Sequence, residues 1–321
     1  MSLRTPICDL FGIEHPVFLA GMGEVAFAEL AAAVSEAGGF GTLGMAASDP
    51  ARIREQMRAV RARTSKPFGV DMLAALPEAV DAAIDVILDE GASCFVAGLG
   101  VPGPVIAKCH RAGVKVMSLC GKVEHARRAE EAGCDVVVAQ GTEAGGHTGA
   151  IGGFALLPQI ADAVRIPVLA AGALVDGRGL AAALALGAQG VWMGTRFIAS
   201  HEARAGKLYK ERIVVATDAD TQVTRCYSGK PMRVLRNAWV ASWERRAEPP
   251  RGFPLQLAES ARAGVMNFVD DAAIDPERTC MPAGQGAGAI GEVLPAAAIV
   301  ERVVAEAEAV LGRLGGLVRR A

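Results

Sequence analysis

The chain has 321 residues, of which 51 % are hydrophobic and 21 % are charged, so it can bury the core of one large α/β domain. Lys and Arg total 33 against 35 Asp and Glu, and this near balance excludes strong attraction to nucleic acid or to an anionic membrane surface. The seven cysteines are scattered and form no C-x-x-C pair, which argues against a disulfide framework or a zinc site.

The beginning of the chain, residues 1–16, lacks the long apolar stretch of a signal peptide. No window reaches the roughly 18 to 20 uninterrupted apolar residues that a membrane-spanning helix needs. The sequence therefore predicts a cytoplasmic protein that does not enter a membrane.

Short apolar runs of the kind that form buried parallel strands recur through the first part of the chain. Amphipathic, Ala-rich segments of helical length separate them; in the segment 49–63, Ser48 or Asp49 can cap the helix and Pro50 occupies its first position. Eight alternations predict an α/β fold, a (β/α)8 TIM barrel, although periodicity alone leaves a doubly wound parallel sheet open. The predicted strands are 16–20, 40–43, 68–71, 94–97, 115–119, 136–140, 168–171 and 190–193.

Residues 206–285 interrupt this alternation, because charges cluster there, Pro249 adjoins Pro250 and no βα unit is visible. We expect a smaller, mostly helical C-terminal extension over one end of the barrel, followed by a helix over 294–313. The predicted divisions are a barrel with the cofactor site over 1–205, an inserted substrate or lid segment over 206–290, and a C-terminal helix packing on the barrel over 291–321.

The most glycine-rich segments follow the last three predicted strands, at the end of a barrel where ligands bind. They are residues 140–149, 171–173 and 194–196. Glycine at a strand end lets backbone N–H groups turn toward an anion, and a helix N-terminus can add its dipole. The turns after the seventh and eighth strands therefore predict a phosphate clamp; the alternative is that they are only tight βα turns.

His147 is the candidate catalytic residue, because Gly145, Gly146 and Gly149 leave it accessible in a loop at a strand end. Such a histidine can titrate near neutral pH and act as a general base; the alternative is a surface or capping role. The run 98–103 matches G-x-G-x-x-G, but the following predicted strand ends without a carboxylate, so it indicates a barrel turn and not a dinucleotide site. No pattern of metal ligands is visible, and no metal is predicted.

Five ordered motifs together resemble the nitronate monooxygenases, formerly called 2-nitropropane dioxygenases. The resemblance extends from residues 11–16 to 285–288, and FMN-dependent enoyl-acyl-carrier-protein reductases and some NAD(P)H:quinone reductases share the motifs. The motifs are Gly21-Met22, the run 140–147, Asp176-Gly177-Arg178-Gly179, Gly194-Thr195-Arg196-Phe197 and Met281-Pro282-Ala283-Gly284-Gln285.

This resemblance implies non-covalent FMN, with His147 as the catalytic residue beside the reactive face of the flavin. The resemblance assigns the flavin ring to Gly21, Met22 and Gly23 after the first strand, and its edge to Asp71 after the third. It assigns the ribityl chain and the ring to Gln140 and Gly145. The remaining cofactor-binding residues are Ala171, Gly172, Ala173, Gly194 and Thr195 at the phosphate, and Gln285, which closes over the cofactor from the extension.

Three residues depart from the family pattern. Ala173 replaces the second glycine of a Gly-Gly pair, so a methyl group enters the phosphate turn, which is tolerable if Ala173 keeps a negative φ. Leu119 stands where some relatives have a lysine near the flavin. Asp71 replaces an asparagine, and a negative charge there would disfavour the anionic reduced flavin.

The leading functional hypothesis is oxidation of alkyl nitronates with O2 to carbonyl compounds and nitrite. The second is an NAD(P)H-dependent FMN reductase of enoyl thioesters or quinones, in which the segment 228–237 offers cations for a phosphate or is only a solvated turn. The third is a flavin-free barrel that binds a phosphate ligand, either an isomerase or a non-catalytic protein. The expected partners are a small-molecule substrate with O2 or NAD(P)H, in a monomer or homodimer.

Overall fold

A computed structural model describes residues 3–46, 48–101 and 103–317 of the chain. Eight parallel strands alternate with helices through its first two thirds. The strands are numbered in chain order, and β7 is a short strand outside the barrel. The barrel strands are β1 Val17–Leu19, β2 Gly41–Gly44, β3 Phe68–Leu73, β4 Cys94–Gly98, β5 Lys115–Cys120, β6 Val136–Gln140, β8 Val168–Ala171 and β9 Gly190–Met193.

The eight strands pair in the order β1-β9-β8-β6-β5-β4-β3-β2. The ends of this sheet also meet: Phe40 donates a backbone hydrogen bond to Val17 O and accepts one from Leu19 N, both at 2.9 Å. The predicted (β/α)8 barrel is thus confirmed, and the doubly wound sheet is excluded. Every predicted strand lies within a residue or two of an observed one, because buried parallel strands are continuous apolar runs.

Helices surround the barrel. Asp49 caps α3, its Oδ1 accepting a hydrogen bond of 2.9 Å from the Arg52 N–H, and Pro50 is the first helical residue, as predicted. None of the described helices is both long and apolar enough to cross a bilayer. The helices are α1 Pro6–Phe11, α2 Ala28–Glu36, α3 Pro50–Arg61, α4 Pro77–Asp89, α5 Gly103–Arg111, α6 Val123–Glu131, α7 Gly153–Ala163, α8 Gly177–Ala185, α9 Thr195–Ile198, α10 Lys207–Val214, α11 Ala238–Glu244, α12 Leu255–Arg262 and α13 Ala296–Gly315, with a 3-10 helix at Gln285–Ala289.

Two apolar layers hold the barrel together. The larger lies between strands and helices, and α13 belongs to it by packing against α8 and α2. The smaller layer fills the barrel interior. Helix α1 covers its N-terminal end, where the Phe11 ring packs edge-on against the rings of Phe18 and Phe40 at centroid distances of 5.3 and 4.9 Å. The interior is therefore filled from the N-terminal side, which leaves the opposite end of the barrel for a ligand.

A second, antiparallel sheet lies over the C-terminal ends of the barrel strands. It joins β10 (Thr221–Thr224) to β11 (Met232–Leu235), and β11 to β7 (Gly146–His147). This sheet was not predicted, because its strands are two to four residues long and carry polar residues such as Arg233. The remaining regular elements of the extension are helices, as expected, and irregular loops join them. The divisions 1–205, 206–290 and 291–321 stay a prediction, and residues 1–2 and 318–321 lie outside the described chain.

Candidate functional site

A cavity of about 1010 Å³ lies at the C-terminal ends of the barrel strands, under the antiparallel sheet. Gln285 is exposed and does not line it, although its neighbours Gly284 and Gly286 do. The predicted site residues that line the cavity are Gly21, Met22, Gly23, Asp71, Gln140, Gly145, His147, Ala171, Gly172, Ala173, Gly194 and Thr195.

The turns after β8 and β9 present free backbone donors to this cavity. The N–H groups of Gly172, Ala173, Gly194 and Thr195 donate no hydrogen bond to another described residue. Unpaired N–H groups at neighbouring strand ends suit an anion such as a phosphate. The N-terminus of α8 is not part of this set, because Asp176 already caps it, accepting from the Arg178 N–H at 2.9 Å.

Ala173 has the left-handed φ of +52°, so the condition of a negative φ, under which its methyl group would be tolerated without strain, is not met. The preceding Gly172 is also left-handed, with φ +113°. A β-carbon makes the left-handed conformation unfavourable by about 1–2 kcal/mol, which a glycine avoids. The sequence could not show this, since the sign of φ depends on how the turn leaves the barrel.

Asp71 lies in the C-terminal half of β3 and contacts the loop that follows β1. It is 7 % exposed, and its carboxyl forms no hydrogen bond with any described residue. Burial raises the pKa of Asp71 well above the ordinary value of 3.8. The uncharged carboxyl is therefore favoured, which weakens the negative charge expected from the sequence; Leu119, the third departure, also lines the cavity.

His147 is held from three sides. As part of β7 it pairs with Met232 of β11, and its backbone oxygen accepts a 2.6 Å hydrogen bond from Gln140 Nε2. Its ring nitrogen Nε2 lies 2.8 Å from Ser228 Oγ. Burial, with a smaller effect of the Lys230 charge, lowers the pKa of His147 to about 4. A pKa below the ordinary value of 6.5 favours the neutral imidazole at pH 7, while the role of His147 as a general base stays a prediction that this burial disfavours.

Other residues of the site carried no signal of their own in the sequence. Ser228 is buried beside His147, and the Lys230 ammonium lies 4.8 Å from the centre of the Phe253 ring. That ring in turn meets His147 edge-on at 6.4 Å. Only the segment 228–237, noted for its cations, pointed toward this region.

The charged groups that line the cavity are mostly cations. Lys122, Arg128 and Lys230 line it, whereas Asp71 is the one carboxyl among its described lining residues. The turn after β4, which resembles a dinucleotide fingerprint, is another part of the wall; Pro102 within it lies outside the described residues. Among the residues described, no group of three or more His, Cys, Asp or Glu could hold a metal ion.

The sequence profile of the nitronate monooxygenases matches residues 4–87 and 80–306, which together contain every residue of the cavity named above. The chain belongs to the nitronate monooxygenase family. The resemblance inferred from the motifs is thereby confirmed, and with it a flavin-dependent oxidoreductase.

The relatives of this nitronate monooxygenase family member carry names that describe different enzymes. A Mycobacterium tuberculosis dehydrogenase, named for an octahydro-indene-carboxyl-CoA substrate, is 40 % identical to this chain. The match covers 82 % of this chain and 74 % of the length of that dehydrogenase. The structure of FabK from Thermotoga maritima superimposes with a TM-score of 0.91 at 39 % identity, covering 99 % of this chain and 100 % of that one. Nitroalkane oxidase from Streptomyces ansochromogenes gives a TM-score of 0.84 at 32 % identity, covering 96 % and 99 %.

Proposed function

We propose that this protein holds FMN and oxidises alkyl nitronates with O2 to carbonyl compounds and nitrite. One observation carries the proposal: a single cavity combines unpaired N–H donors for a phosphate with a neutral imidazole and an excess of cations. When bound, FMN would supply the redox chemistry between the nitronate, which is oxidised, and O2, which is reduced.

The phosphate of FMN would bind the N–H groups of Gly172, Ala173, Gly194 and Thr195. Gly21 and His147, which line the same cavity, would contact the ring. Riboflavin, which lacks the phosphate, tests this assignment. Because hydrogen bonds to a charged group contribute about 1.5–3 kcal/mol each, FMN should bind the apoprotein at least about tenfold more tightly than riboflavin. Equal affinities would overturn the assignment of the two turns.

The substrate of this proposal is an anion, and the chain's own residues suit an anion. Lys230 lies beside His147 and attracts negative charge, while the raised pKa of Asp71 weakens the repulsion that its carboxyl would exert on an anion. The neutral imidazole can donate a hydrogen bond to a nitronate oxygen. A base with a pKa of about 4 is weak, so we assign His147 to binding and orienting a nitronate and not to deprotonating a nitroalkane.

Oxygen uptake with propionate 3-nitronate, in the absence of NAD(P)H, tests the activity. We expect uptake by the FMN-loaded protein and a large loss of kcat/KM in His147→Ala. His110→Ala is the matched control, because His110 pairs with Asp135 at 2.9 Å and lines no part of the cavity. Full activity of His147→Ala would remove His147 from the mechanism.

A second candidate is the NAD(P)H-dependent reduction of enoyl thioesters or quinones. Two cations that line the cavity favour it, since Lys122, which precedes α6, and Arg128 within α6 could bind a phosphate-bearing tail. One relative is also named for a carboxyl-CoA substrate. Rapid anaerobic bleaching of the flavin by NADH or NADPH would favour this reductase over the monooxygenase.

A further inference from the structure

We propose that Lys230 binds a second, non-reacting anionic group of the substrate, so that the site prefers nitronates that also carry a carboxylate on a short chain. Lys230 is a specificity residue in this arrangement, whereas His147 contacts the reacting group. That the reacting group is a nitronate rests on the proposed function, but the affinity for a second anion does not.

The ammonium group of Lys230 has no partner of opposite charge among the described residues. Lys230 is half-buried and lines the cavity, and its hydrogen bonds to described residues all involve its backbone. Asp71, the one carboxyl among the described lining residues, has its pKa raised by burial alone, with no contribution from Lys230. Because a partly buried cation is more favourable when it is paired, a ligand that supplies a negative charge there gains affinity.

The protein fixes the place of this ammonium group. Lys230 lies in the turn between β10 and β11, next to Gly229, whose φ is +84°. A β-carbon on Gly229 would lie 2.4 Å from Arg251 O and 2.6 Å from Phe253 N, so this turn packs directly against the backbone of 251–253. The Phe253 ring then lies 4.8 Å from Lys230 Nζ, a distance at which the ring attracts a cation.

The same ring connects Lys230 to the reacting end of the cavity. The Phe253 ring meets the His147 ring edge-on at 6.4 Å, and after burial the Lys230 charge is the second cause of the lowered pKa of His147. Lys230 and His147 both line the cavity, and the flavin phosphate is assigned to the turns after β8 and β9. One small substrate can therefore offer one anionic group to His147 and a second to Lys230.

The binding of two unreactive carboxylates to the FMN-loaded protein tests the second anion without turnover. Succinate corresponds to propionate 3-nitronate with a carboxylate in place of the nitronate group, and butyrate has a methyl group in place of one carboxylate of succinate. By titration calorimetry we expect succinate to bind at least about tenfold more tightly than butyrate, as for one added hydrogen bond between charged groups. Equal affinities, or no measurable binding of succinate, would overturn the proposal.

Variants of Lys230 assign the preference to its charge. Lys230→Met, which keeps the length of the side chain, should bind succinate and butyrate about equally, while Lys230→Arg should keep the preference. Lys66→Met is the matched control, because it removes the same charge from a residue that pairs with Glu14 at 2.9 Å outside the cavity. An undiminished preference for succinate in Lys230→Met would contradict the role of Lys230.

Steady-state kinetics connect this preference to the reaction. Lys230→Met should lower kcat/KM for propionate 3-nitronate about tenfold more than for propyl 1-nitronate, mainly through KM, because the second nitronate has a methyl group in place of the carboxylate. Equal losses for the two nitronates would contradict the proposal. If neither nitronate is oxidised by the wild type, the proposed function fails, while the affinities for succinate and butyrate still decide the role of Lys230.

Discussion

The side chain of Asp71 occupies the space that a β-carbon on Gly21 would need. A β-carbon built on Gly21 would lie 2.2 Å from Asp71 Cβ and 2.4 Å from Asp71 Oδ2. The loop after β1 and the end of β3 therefore meet in one wall of the cavity, and a glycine at position 21 is what allows them to meet.

Gly21→Ala should destabilise the protein by about 1–3 kcal/mol, because the new methyl group must displace the backbone or the Asp71 side chain. Thermal unfolding of the apoprotein checks this. Gly23→Ala, in the same loop, is the matched control, since its nearest contact would be an ordinary 3.4 Å to Ala46 Cβ. Equal melting temperatures for the two variants would show that the loop accommodates the methyl group at position 21 without loss of stability, which would contradict this prediction.

Asp71→Asn should stabilise the apoprotein at neutral pH relative to the wild type, because an amide does not ionise, whereas the buried carboxyl must either keep a proton or lose the hydration of its charge. In the wild type the folded state holds the proton of Asp71 more tightly than the unfolded state, so stability falls as pH rises above about 3.8. The advantage of the variant should therefore shrink toward acid pH. Denaturant unfolding across this range measures it, and an advantage that grew on acidification would refute the assignment.

Ala173→Gly should stabilise the protein by about 1 kcal/mol, because glycine adopts the observed φ of +52° without strain. The opposite sign is expected for Ala171→Gly, two residues earlier in β8, where glycine costs about 0.5–1 kcal/mol. Chemical denaturation of both variants checks the pair. A destabilised Ala173→Gly would contradict the left-handed turn.

His147 should make the wild type less stable in acid. Its pKa is about 4 in the folded state against an ordinary 6.5, so the unfolded chain takes up a proton first as pH falls. Stability should be full above pH 6.5 and decline by up to roughly 3 kcal/mol by pH 4, at about 1.4 kcal/mol per pH unit. His147→Gln should lose this part of the decline, while His201→Gln, on the exposed surface, should keep it.

The barrel could be predicted from the sequence because each of its strands is buried on both sides and reads as an apolar run. Residues such as Gly172 and Gly194 were found for a related reason: they lie at the ends of those strands, so their place in the cavity follows from the fold. Five motifs in one order along the chain then sufficed for the family.

What the sequence did not reveal depends on contacts between distant segments. Ser228 is 81 positions from His147, and no spacing rule connects them. The sheet that joins them was missed because β7 contains only two residues. The lowered pKa of His147 and the raised pKa of Asp71 follow from the burial that this assembly creates, which the residue types alone do not specify.

An anaerobic titration of the FMN-loaded protein tests the central claim most directly, with the flavin absorbance band followed during separate additions of propionate 3-nitronate, NADH and NADPH. We predict that the nitronate reduces the flavin, that neither nucleotide does so at a comparable rate, and that O2 restores the band. Rapid reduction by a nicotinamide nucleotide, with no response to the nitronate, would contradict the account.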